Sequence, residues 1–119
     1  MARRLLVSIA ASLLVGLLFP APSSAHQSLR KGGYECWLSQ IGQYSNYILK
    51  IKSGGRYAFT LDDKTVGKAG DYVHDGKKVR FKNGYLKKKG YRGKHLVDDG
   101  THVIYLYKNG ELVYDCNNN

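Results

Sequence analysis

Two cysteines, Cys36 and Cys116, stand near the two ends of the polar part of this chain, and there are no others. A disulfide holds its two Cα atoms within a few ångströms of each other, so this pairing requires the first and last elements of the fold to lie side by side. In the loop-entropy model, closing so long a loop stabilises a fold by roughly 4 to 5 kcal/mol. A small exported domain has a use for such a staple, because it buries only a modest share of its surface and folds in an oxidising compartment.

The start of the chain supports export. Met1-Ala2-Arg3-Arg4 leads into an apolar run from Leu5 to Phe19, followed by Pro20-Ala21-Pro22-Ser23-Ser24-Ala25. A basic start, an apolar stretch shorter than a comfortable bilayer span and small residues at Ser23 and Ala25 describe a cleavable secretory signal over residues 1–25. Residues 26–119 then form a single domain with no further transmembrane segment, placed outside the cell or in the periplasm. The chain has 19 Lys and Arg against 9 Asp and Glu, and the signal removes only Arg3 and Arg4. The excess of positive charge therefore survives maturation and favours an anionic partner.

The rest of the chain breaks into short Tyr-, Val-, Ile- and Leu-rich segments separated by Gly, Asn and Asp, the pattern of an all-β meander. Both prolines lie in the signal, and no segment sustains a helical period. Ser53-Gly54-Gly55 aligns Ile51 with Tyr57, Leu49 with Phe59 and Tyr47 with Leu61. Asp75-Gly76 places Tyr72 opposite Val79. Asn83-Gly84 reads as a tight hairpin setting Arg80 opposite Lys87 and Lys78 opposite Lys89, and Asn109-Gly110 sets Tyr105 opposite Tyr114. Strands are expected near 33–38, 46–52, 56–61, 70–74, 78–82, 85–89, 102–107 and 111–116. Cys36 shares a face with Tyr34 and Leu38, and Cys116 with Leu112 and Tyr114. The fold predicted is an antiparallel up-and-down meander of about eight strands closing as a barrel, with a two-sheet sandwich as the alternative.

Gly33-Tyr34-Glu35-Cys36-Trp37, Ser53-Gly54-Gly55-Arg56-Tyr57, Gly70-Asp71-Tyr72 and Val79-Arg80-Phe81-Lys82-Asn83-Gly84, ending at Cys116, resemble small secreted bacterial disulfide-closed β-barrel proteins of uncharacterised function. The architecture is similar to calycin-type barrels and to the secreted barrel that inhibits c-type lysozymes. That inhibitor family uses a Ser-Gly-x-x-Tyr segment, which Ser53-Gly54-Gly55-Arg56-Tyr57 resembles. Here the segment makes an early hairpin, and the chain is basic where docking to a cationic lysozyme favours acid, so the inhibitory residues are not carried over.

Function is read mainly from charge. Lys78, Arg80, Lys82, Lys87 and Lys89 form the candidate anion-binding set, with Lys88, Tyr91, Arg92 and Lys94 continuing its basic and aromatic character. A solvated face that protects sheet edges from aggregation is the plainer alternative. Trp37, beside Glu35, points outward and suits a sugar, membrane or protein contact. Placing Tyr105 and Tyr107 inward turns Ile104, Leu106 and Val113 outward as an apolar partner strip, unless a bulge reverses the facing. His95, Asp98, Asp99 and His102 fall in one loop, but Asp98-Asp99-Gly100 reads more simply as a turn. No nucleophile elbow, free thiol or cofactor loop occurs, so no catalytic residue, metal or cofactor is assigned. The expected function is a non-enzymatic secreted binding module for an anionic envelope polymer or acidic macromolecule, with nucleic acid not the expected physiological partner. The alternatives are a protein inhibitor or interaction protein, or a carrier of a small apolar ligand. No feature fixes an oligomeric state.

Overall fold

The computed structural model describes residues 28–119, so the expected signal over residues 1–25 lies outside the described residues. The order of elements is β1 (Gly32–Leu38), β2 (Gln43–Lys52), β3 (Arg56–Leu61), β4 (Lys64–Thr65), β5 (Gly70–Asp75), β6 (Lys78–Phe81), α1 (Gly84–Lys88), β7 (Tyr91–Asp98), β8 (Thr101–Lys108) and β9 (Glu111–Asn118). Each long strand pairs antiparallel with its neighbour in sequence, and β9 returns to pair with β1. Eight strands therefore close an up-and-down barrel, and β4 pairs outside it with β3. Among the described residues no helix is long and apolar enough to cross a membrane.

The seam is closed twice over. β1 and β9 share a ladder in which Cys36 faces Cys116, and the disulfide joins this pair with Cα atoms 3.9 Å apart. Both cysteines are fully buried, so the bond lies among core side chains.

Connections alternate between the two mouths of the barrel. One mouth carries segments 39–42, 62–69, 82–90 and 109–110; the other carries the tight turns 53–55, 76–77 and 99–100 together with the lead segment before β1. At the first mouth, α1 inserts Leu86 into the core and lays Tyr85 parallel to Phe59, with ring centroids 5.9 Å apart. Tyr47, Tyr91 and Tyr114 complete this aromatic plug. Burial pushes the Tyr114 hydroxyl up to about 12, so it stays neutral. Tyr34, Tyr57, Phe59, Phe81, Leu49 and Ile51 fill the middle of the barrel. An apolar-ligand carrier needs that space empty.

Tyr57 anchors α1. Its hydroxyl donates to the Asn83 carbonyl at 2.7 Å and accepts the Leu86 N–H at 3.0 Å. Substituting Tyr57→Phe removes both bonds and orphans a buried N–H, at an expected cost of about 1 to 3 kcal/mol in chemical denaturation. An unchanged midpoint would show that water takes over both groups.

Asn83-Gly84 makes no hairpin. Asn83 is extended (φ −161°), not left-handed as a type I′ turn requires, because tertiary bonds hold it. Its Oδ1 accepts the Asp71 N–H at 2.8 Å, and its Nδ2 donates to the Asp71 carboxylate at 3.1 Å. Residues 84–88 are consequently helical, and the partner of β6 is β7, with Lys78 opposite Lys94. The expected pairings Arg80–Lys87 and Lys78–Lys89 do not occur.

The β5–β6 turn sits at Gly76-Lys77, one residue later than expected, so Tyr72 faces Phe81 while the buried faces are unchanged. Only Gly76 takes positive φ there (63°), which suits a turn with glycine first. A register shift between Leu112 and Tyr114 pairs Tyr114 with Leu106 instead of Tyr105, and parts Leu112 from the face of Tyr114 and Cys116. This is the bulge that reverses β8: Ile104 and Leu106 enter the core, while Tyr105 and Tyr107 face out.

Candidate functional site: a basic outer wall

The five expected anion-binding residues are all exposed, but they divide between two places. Lys78 and Arg80 alternate with buried Val79 and Phe81 on β6, so their side chains stand on the outer wall. Lys82 follows at the end of that strand, its N–H donating to the Asp71 carbonyl at 2.8 Å. Lys87 and Lys89 belong to the helical segment at the barrel mouth, where the Lys89 Nζ lies 5.8 Å from the centre of the Tyr85 ring.

The wall is completed by β7, a strand the sequence does not advertise. Its interior positions are Tyr91, Gly93, His95 and Val97, while Arg92 and Lys94 point outward and are exposed. Gly93 lets β7 approach β6 closely, since a Cβ at that position would stand 2.9 Å from the Val79 Cβ. Lys78 faces Lys94 directly across the ladder, and Arg80 and Arg92 are the next outward residues on the two strands. Like charges in that position repel. Asp75 is the register partner of Lys78 at the turn, yet the ion pair among the described residues is Arg56 Nε with Asp71 Oδ1 at 3.5 Å. Among the described residues, the cations of the wall therefore have no carboxylate within ion-pair distance. On the other side of β7, Lys94 faces Tyr105 and Arg92 faces Tyr107.

The expected partner strip separates in the same way. Ile104 and Leu106 are fully buried and offer nothing to a partner. Val113, at the bulge, lines a shallow groove of about 230 Å³ with Leu38, Gln40, Ile41, Glu111 and Leu112. Ile41 is 67% exposed and Trp37 39%. Trp37 packs against Tyr44 with ring centroids 5.3 Å apart, while Leu29 of the lead segment goes into the core.

The loop-borne His/Asp grouping is replaced by a chain of imidazoles inside the second mouth. His74 Nε2 lies 3.1 Å from His95 Nδ1, and His95 Nε2 lies 3.0 Å from His102 Nδ1. These rings come from β5, β7 and β8, and the central one uses its two nitrogens on opposite sides. At each of these distances one ring N–H can meet one ring lone pair, the direction being set by the tautomers. Burial, then the nearness of His74 and His102, pulls His95 down to about 4, and burial with the Arg30 charge lowers His102. Asp98 and Asp99 are exposed at the turn, and among the described residues no group of three or more His, Cys, Asp or Glu is placed to hold a metal ion. Sequence reasoning missed His74 as a member of this chain, since it lies 21 residues before His95.

Comparison with models of protein families, with curated proteins and with solved structures finds no match to this chain.

Proposed function

We propose that this protein is an exported, non-enzymatic binding module whose outer wall on β6 and β7 engages an anionic envelope polymer or acidic macromolecule outside the cell or in the periplasm. The observation that carries this reading is the facing of Lys78 and Lys94, flanked by Arg80, Arg92 and Lys82, without ion-paired carboxylates among the described residues. An anionic ligand threading between the strands relieves that repulsion. Lys87 and Lys89 are a secondary contribution from the helical mouth. The disulfide supports export, since such bonds persist in oxidising compartments.

The test is retention on an immobilised polyanion across a salt series. Substituting Lys78→Gln, Arg80→Gln and Lys94→Gln together is expected to weaken binding about tenfold or more at low salt, and to flatten its salt dependence. Lys50→Gln, on β2 across the barrel, should leave binding within about twofold. Equal losses at both places, or retention indifferent to salt, would overturn the proposal.

A second reading, a protein-interaction surface, is favoured by exposed Trp37 and Ile41 beside the Leu112–Val113 groove. It is expected to give a stoichiometric complex that survives high salt.

A further inference from the structure

The two outward rows of β6, β7 and β8 are not purely cationic. One row reads Lys78, Lys94, Tyr105 across three neighbouring strands, and the other Arg80, Arg92, Tyr107. Neighbouring strands are about 4.8 Å apart and alternate residues about 7 Å apart along a strand. The six side chains thus occupy a compact rectangle about 10 Å by 7 Å, four cationic positions ending on two aromatic ones.

Resting on the polyanion-binding reading, we propose that this rectangle is a binding site for an acidic glycan, whose carboxylate or sulfate groups meet the four cations and whose sugar rings pack on Tyr105 and Tyr107. Arginine provides a planar fork matched to the two oxygens of a carboxylate or sulfate, and Arg80 and Arg92 supply it in one row. Lysine supplies a point charge in the other row. Tyrosine presents an apolar ring to the C–H face of a sugar and a hydroxyl to its polar edge. Both tyrosines are partly exposed, and burial raises the Tyr105 hydroxyl, with nearby Asp115 adding to the effect, so it remains a neutral donor.

The shape of the wall favours a glycan over other polyanions. A single-stranded nucleic acid is held in a cationic groove that tracks its backbone past successive stacking rings, whereas these four cations form a compact patch on the strand surface beside two tyrosines. A bilayer needs protruding apolar residues, and those present, Trp37 and Ile41, lie on β1 and the β1–β2 loop instead. Lys78, Arg80, Arg92 and Lys94 also distinguish the site from a neutral sugar platform.

The experiment compares the disulfide-bonded protein and its variants against a heparin-derived octasaccharide, an oligogalacturonate, linear polyphosphate and a thymidine oligonucleotide by titration calorimetry. Tyr105→Ala with Tyr107→Ala is expected to weaken binding of an acidic saccharide about fivefold to tenfold, and to leave polyphosphate within about twofold. Unchanged saccharide affinity, or an equal loss for the oligonucleotide, overturns the glycan assignment while leaving the polyanion reading standing. No binding of any of the four by the unmodified protein overturns both. If the double variant fails to fold, ring resonances of Tyr105 and Tyr107 in the unmodified protein decide the matter. They must shift with the saccharide and stay fixed with polyphosphate, and the reverse overturns the assignment.

Discussion

Replacing Cys36 and Cys116 together by alanine is expected to lower the free energy of unfolding by about 4.5 kcal/mol, the loop-entropy value for a closure spanning 80 residues. The effect is large because of what the bond closes. All other neighbouring strands of the barrel are joined by short connections, but β1 and β9 meet from opposite ends of the domain. Without the bond, bringing them together relies on their ladder and on core contacts alone. Each single substitution should cost nearly as much as the double one, since either removes the same covalent link. Urea denaturation with and without reductant measures it: the unmodified protein should fall to the level of the double variant on reduction. A midpoint indifferent to reduction would mean that the β1–β9 ladder closes the barrel unaided.

Acid is expected to have the next largest effect, through His95. Its folded value lies near 4 against 6.5 for a free imidazole, a difference worth about 3 kcal/mol. Because the unfolded chain takes up this proton first, the stabilisation is present above about pH 6.5, falls away as pH drops, and is gone near pH 4. His102, also lowered, adds to the loss in the same direction. Chemical denaturation of His95→Gln across pH 4 to 7.5 should show a flatter profile than the unmodified protein, even if its stability at pH 7.5 is lower. Parallel profiles would mean that other groups govern the acid response.

The sequence already reveals the barrel, because its turns and its alternation agree wherever the interior is apolar. At Ser53-Gly54-Gly55 the three expected pairings, Ile51 with Tyr57, Leu49 with Phe59 and Tyr47 with Leu61, are the pairings observed. Legibility fails at β7, whose inward positions include Gly93 and His95, so the period-two apolar signal is missing. It fails again at Asn83-Gly84, where bonds to Asp71 and Tyr57, distant in sequence, override local turn preference. An eight-strand expectation thus matches an eight-strand barrel only because the misassigned segment 85–89 is offset by the missed strand 91–98.

The candidate site was legible in part for the same reasons. Lys78, Arg80 and Lys82 are on the outer wall because their apolar neighbours fix the facing of β6. The positions of Lys87 and Lys89 depended on a hairpin that does not form. Tyr105 and Tyr107 were hidden by the register shift beside Val113, a single-residue irregularity that exchanges the two faces of β8 relative to the hairpin's ideal pairing. The imidazole chain was out of reach for another reason, since it joins residues of three strands.

The outer-wall site is tested by an amide chemical-shift titration of the disulfide-bonded protein with a defined anionic oligosaccharide, read residue by residue. The largest shifts are expected at residues 78–82, 92–94 and 105–107, fading as salt is added. Shifts centred on residues 37–41 and 111–113, or on 87–89 alone, would contradict the outer-wall site.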